Sequence, residues 1–176
     1  MNADVTGALT PKGPPSTPEE HAEFFELYKL MVSTSEALVG RRQAVNTFFL
    51  TMNGLLLTAV GLFLRSGPHG HLRLQAAAIL VLAVAGAALC TAWRTLIVSF
   101  GQLNTGKFRI INTMESQLAA SIFAAEWEAL GRGEDPKIYR SFTSREIYVP
   151  IAFGLLYVVA AILSALAAVG IWHPGA

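Results

Sequence analysis

Residues 43–64 read QAVNTFFLTMNGLLLTAVGLFL, 22 residues between Arg42 and Arg65 without one Asp, Glu, Lys or Arg. A helix of about 20 mostly apolar residues crosses a bilayer core, so this stretch predicts a membrane span. Two further uncharged stretches predict two more: 74–93, LQAAAILVLAVAGAALCTAW, and 147–172, IYVPIAFGLLYVVAAILSALAAVGIW. The composition agrees. Charged residues make up 14% of the chain, against about 25% in ordinary soluble domains, and the mean hydropathy is positive. The one cysteine, Cys90, lies inside the second stretch and reads as a small packing residue. That excludes a disulfide framework and a cysteine-based zinc cluster.

Three spans divide the basic residues unevenly. Lys12, Lys29, Arg41, Arg42, Arg94, Lys107, Arg109, Arg132, Lys137, Arg140 and Arg145 fall on one side of the membrane, and only Arg65 and Arg73 on the other. The positive-inside rule makes the first side cytoplasmic, with the N-terminus inside and the C-terminus outside. The 12 acidic residues also fall on that side. Its near-neutral balance argues against a nucleic-acid-binding surface. Residues 1–42 hold no short apolar core behind a basic start, so they do not read as a signal peptide.

The cytoplasmic parts carry helix signals of their own. Residues 1–16, with three prolines and two glycines, predict a disordered arm. Thr17-Pro18-Glu19-Glu20 then predicts a helix start, with Thr17 as N-cap, Pro18 at the first helical position and Glu20 closing a capping box. Phe24, Tyr28, Met31, Ser35 and Leu38 recur at helical spacing, with Phe25, Val32 and Val39 beside them. No proline separates this helix (17–42) from the first span (43–64), so the two predict one rod of about 70 Å. Beyond the second span (74–94), Leu96, Phe100, Leu103, Ile110 and Met114, with Ile97, Phe108, Ile111 and Leu118, keep the helical period into a cytoplasmic helical region, 95–146. The outer loop 65–73, with Gly67-Pro68 and Gly70, predicts the turn between the rods. Residues 122–130 predict a short helix ended by Gly131-Arg132-Gly133. Thr143 and Glu146 repeat the capping-box spacing before the third span (147–172), in which Pro150 predicts a kink, and 173–176 form a tail. The fold class is therefore an all-α membrane protein with three transmembrane helices. Its first two helices extend into the cytoplasm as a long antiparallel hairpin.

Candidate functional residues are few. Asn46 and Asn53 are seven apart on one face of the first span, with Thr47 nearby; amides in hydrocarbon need partners or water, so this face should point inward. Interhelical hydrogen bonds are the favoured reading, and a pore or ligand lining is the other. Arg41, Arg42 and Arg94 stand where lipid headgroups would meet them. Ala83 with Ala87, Gly86 with Cys90, and Ala160, Ser164 and Ala168 form small-xxx-small patterns that suit close helix packing and self-assembly. His69 and His71 lack a third metal ligand nearby. Glu115, Glu126, Glu128, Glu134 and Asp135 read as a solvated acidic surface. No cofactor or metal is expected, and no spacing points to an enzyme.

Several words of the chain run in a recognisable order: Arg41-Arg42-Gln43-Ala44, Asn46, Phe48-Phe49-Leu50-Thr51 and Asn53; Leu103-Asn104, Lys107-Phe108 and Ile111-Asn112; Glu126-Trp127; Tyr139, Phe142-Thr143 and Glu146. In these the chain resembles the RipA family of octameric bacterial membrane proteins, over roughly residues 20–165. It departs from that pattern at Leu118–Phe123, which lacks a proline. The resemblance implies a bacterial cytoplasmic-membrane protein and a homo-octamer, and no defined reaction. Two expectations follow: a structural or scaffolding assembly whose cytoplasmic helical crown binds a protein or lipid partner, or a pore-forming channel or defence effector.

Overall fold

The computed structural model describes residues 5–65, 72–139 and 142–169. All regular structure among them is helical: α1 (Val5–Leu9), α2 (Pro18–Arg65), α3 (Leu72–Glu115), α4 (Ile122–Ala129), α5 (Phe142–Glu146) and α6 (Tyr148–Ala168), with one 3-10 turn at Gly131–Gly133. Three of these helices, α2, α3 and α6, are long and apolar enough to cross a membrane. The all-helical, three-span class read from the sequence therefore holds. Of the sequence expectations, the turn residues 66–71 with His69 and His71, Arg140, and the segment 170–176 lie outside the described residues. The stretch read as an arm carries the five-residue helix α1.

The chain divides into two compact units, one of Met1–Arg42 with Ser99–Phe142 and one of Gln43–Val98 with Thr143–Ala176. Both long helices contribute to each.

In the first unit α2 starts at the expected capping box. The Thr17 hydroxyl accepts the Glu20 amide at 3.2 Å, and the Glu20 carboxylate accepts the Thr17 amide at 3.1 Å and the Ser16 amide at 2.7 Å. These bonds satisfy donors that a helix start leaves unpaired, and they hold the Glu20 carboxyl below its ordinary pKa. Phe24, Ser35 and Leu38 of α2 and Ile111 and Met114 of α3 are buried here. The spacing of 24, 28, 31, 35 and 38 is the one helical face the sequence showed. Phe123 of α4 meets Phe108 of α3 edge to face at 5.5 Å, and Trp127 meets Tyr139 in the same way at 5.8 Å. After α4 the backbone of Gly131, Arg132 and Gly133 takes φ of 60, 53 and 71°. Glycine reaches that region without strain; Arg132 does not. The Arg132 side chain donates to Glu128 at 2.8 Å on the exposed surface of this turn.

In the second unit Val60, Ile79, Ala83, Cys90, Tyr157 and Ala160 form one buried cluster. Phe49, Trp93 and Ile97 form another, with Phe49 stacked on Trp93 at 5.8 Å. Leu55, Leu62, Leu74, Val81, Val84, Leu155 and Ile162 point outward and are exposed. An apolar exterior around a core that includes Asn53 and Ser164 inverts the soluble pattern and suits hydrocarbon. Regular helix is interrupted at Ile147, between α5 and α6. Pro150 supplies the cause, having no N–H for the Glu146 carbonyl and a ring that crowds it.

Candidate functional site

Asn53 is the polar centre of the second unit, fully buried on α2. Its side-chain amide donates to the Phe49 carbonyl at 2.8 Å, one turn back, and its side-chain oxygen accepts the Cys90 thiol of α3 at 3.3 Å. Its backbone carbonyl accepts the Tyr157 hydroxyl of α6 at 3.1 Å. One residue thus ties all three spanning helices. One turn toward the N-terminus of α2 from Phe49, the side-chain oxygen of Asn46 accepts the Trp93 indole at 2.9 Å. At the other end of the unit Ser164 donates to the Ala76 carbonyl at 2.5 Å and Gln75 to the Phe63 carbonyl. Apart from the Asn53 to Phe49 bond within α2, each of these bonds joins two different helices, and all of them satisfy groups that hydrocarbon would penalise.

The small residues make these approaches geometrically feasible. Gly86 is buried, and a methyl group built on it would overlap the Tyr157 ring. Ala83, Cys90, Ala160 and Ser164 are buried on the same interior surfaces, Ala87 is partly buried, and Ala168 is exposed. The structure therefore brings Asn53, Cys90 and Gly86 together around Tyr157, and Asn46 together with Trp93. Thr47 is exposed on α2 and is not part of the group. Arg41 and Arg94 are exposed, and Arg42 is half-buried.

A second polar centre lies in the first unit, where the sequence pointed to open solvent. Glu115, the last residue of α3, is fully buried. Its carboxylate accepts the Tyr28 hydroxyl at 2.9 Å and the backbone amides of Ile122 at 3.1 Å, Phe123 at 3.0 Å and Ala124 at 3.3 Å. Those three amides are the first N–H groups of α4, so Glu115 caps that helix from outside its own sequence and meets the positive end of its dipole. Ser121, at the position where a capping hydroxyl is expected, instead donates to the Glu115 carbonyl at 3.3 Å. Reading Glu115 as a solvated carboxylate is thus corrected. Glu126, Glu128, Glu134 and Asp135 are exposed as expected. The signal was available in part: Glu115 follows Ile111 by four and Phe108 by seven, in phase with the buried stripe. Burial, and then the bond to Glu115, push the Tyr28 phenol above its ordinary pKa. Across the segment that lacks a proline, Leu118–Phe123, the Glu115 backbone carbonyl accepts the Leu118 amide at 3.0 Å and the Ser121 hydroxyl at 3.3 Å, and its carboxylate takes the amides that follow.

These arrangements hold helices together with dipoles and one capped anion. Among the described residues no group of three His, Cys, Asp or Glu is placed to hold a metal. A family model described as the octameric membrane protein family (8xMP) matches residues 25–167. No curated protein and no solved structure matches the chain.

Proposed function

The chain belongs to the octameric membrane protein family, and from that premise we propose that it works as a homo-octameric scaffold in the bacterial cytoplasmic membrane. Its first unit is the cytoplasmic crown, where a protein or lipid partner docks. The observation that carries this reading is the use made of Asn53. The most polar position of the first span is fully buried and spends its side chain and its carbonyl on Phe49, Cys90 and Tyr157 of the same protomer. A residue spent on holding three helices together does not line a water-filled axis, and this favours a scaffold over a channel. The eleven-to-two division of basic residues supports an N-terminus in the cytoplasm and a C-terminus outside. The finer likeness to the RipA proteins belongs to the same proposal and rests on the word pattern from Arg41 to Glu146. The proposed role is non-catalytic.

Native mass spectrometry in mild detergent and ion flux in liposomes test this together. The expected result is an eight-copy mass with flux no greater than that of empty liposomes. A monomeric mass overturns the assembly. Flux that rises with protein content, and falls when Thr47 or Asn46 is replaced by leucine, overturns the scaffold in favour of a channel.

A further inference from the structure

The first unit exposes apolar side chains on two unlike faces. Leu27, Leu30 and Thr34 share one face of α2 by their spacing, and Leu103, Lys107 and Ile110 share one face of α3. Lys107 donates to the Thr34 hydroxyl at 2.8 Å, which brings the two faces onto the same side of the helix pair. Leu27 is 51% exposed there, Leu30 60% and Leu103 52%. Phe25, Val32 and Val39 follow one another at intervals of seven on the flank of α2 turned away from Thr34, and Phe25 and Val39 are 46% and 50% exposed. Both strips lie among Glu19, Glu20, Glu23, Glu26, Lys29, Glu36, Arg41 and Arg42, so this length of α2 stands in water rather than lipid. A helix pair in water with an apolar strip on each side has two surfaces to cover.

We infer that each strip is covered by the other strip of a neighbouring copy of this chain: Phe25, Val32 and Val39 of one protomer pack on Leu103 and Ile110 of the next. The inference rests on the octameric reading above and names its contact surface. Two different faces make a head-to-tail contact, and head-to-tail contacts that close give a ring, whereas a two-fold dimer would pair one face with itself and leave the other bare. The heights agree as well. Within the protomer Tyr28 stands level with Glu115 and Thr34 with Lys107. Counting down the antiparallel helices from either pair sets Val39 level with Leu103, and Val32 level with Ile110, to within about one residue rise of 1.5 Å. A cyclic ring moves copies around an axis without shifting them along it, so residues level in one protomer meet between protomers.

The test is disulfide trapping in the membrane with Val39→Cys and Leu103→Cys. The expected result for the double variant is an oxidation-dependent ladder of covalent species reaching eight copies. Each single variant should match wild type, whose Cys90 is buried, and co-expressed single variants should stop at covalent dimers. A second measurement does not depend on oxidation: Leu30→Glu combined with Leu103→Glu should lose the eight-copy mass while keeping its helical circular dichroism. Self-crosslinking of either single variant overturns the head-to-tail contact. An eight-copy mass with no ladder, or one that survives both glutamates, overturns the surface and leaves the octamer standing. A monomeric wild type overturns the octamer, and this inference with it.

Discussion

The hydroxyl of Tyr28 donates to the carboxylate of Glu115 at 2.9 Å, across 87 residues of chain. The bond joins the N-terminal length of α2 to the end of α3, and the same carboxylate then takes the first amides of α4. Three elements of the first unit depend on one buried anion that has no ion-pair partner among the described residues. Its charge is balanced by donors alone, each worth more than a bond between neutral groups.

Glu115→Ala should destabilise the first unit by about 3 kcal/mol or more, because it leaves three amides and a phenol without an acceptor. Tyr28→Phe removes one charged hydrogen bond and should cost about 1.5–3 kcal/mol. Glu126→Ala, on an exposed side chain, should stay within about 0.5 kcal/mol. Thermal or denaturant unfolding in detergent, followed by circular dichroism, reads the three. Equal tolerance of Glu115→Ala and Glu126→Ala would show that the carboxylate is not a cap.

Alkaline pH should release the same contact. Burial and the bond to Glu115 raise the Tyr28 pKa above 10.0, so the folded state keeps a proton that the unfolded state loses. The stabilisation is complete below pH 10.0 and is lost as pH rises through the raised value. Unfolding titrations should therefore show a steeper alkaline loss for wild type than for Tyr28→Phe. Tyrosinate absorbance in Glu115→Gln should put Tyr28 lower than in wild type and still above 10.0, since burial is the larger cause. An unchanged titration would remove Glu115 from the account.

Cys90→Ala and Asn53→Leu each remove the thiol to amide bond, so their costs should not add. The expected coupling is about 0.6 kcal/mol and at most about 1.7, the range found for hydrogen bonds between helices in membranes. Tyr157→Phe loses a bond to the Asn53 backbone, which Asn53→Leu leaves in place. That pair should show the smaller coupling in a double-mutant cycle.

Gly86→Ala should cost about 1–3 kcal/mol, since the new methyl meets a Tyr157 ring that is itself buried and bonded. Gly40→Ala, where a methyl meets nothing within 4 Å, should be neutral or stabilising by up to about 1 kcal/mol. A loss of stability for Gly86→Ala and none for Gly40→Ala in the same unfolding assay is the expected outcome. A harmless Gly86→Ala would mean that α6 does not press on α3 there.

Much of the fold was legible because it is local. The capping box at Thr17 and Glu20 needs only four consecutive residues, and the buried set Phe24, Ser35 and Leu38 follows from helical period alone. The break at Ile147 follows from the ring of Pro150. Asn46 and Asn53 were legible as amides in need of partners, but not their partners. Trp93, Cys90 and Tyr157 lie 47, 37 and 104 residues away, and no spacing rule reaches that far.

The sequence by itself determined the number of spans, the helical class and the apolar faces, because a bilayer and a helix each impose a length and a period on any chain that meets them. Only the tertiary structure decided what the polar residues are for. It put Glu115 under the amides of α4 and Asn53 between Cys90 and Tyr157. It gave Gly86 to the Tyr157 ring. The reason is physical: periodicity fixes which way a side chain points on its own helix, whereas a hydrogen bond depends on the register between helices. That register is set by the whole packed interior at once.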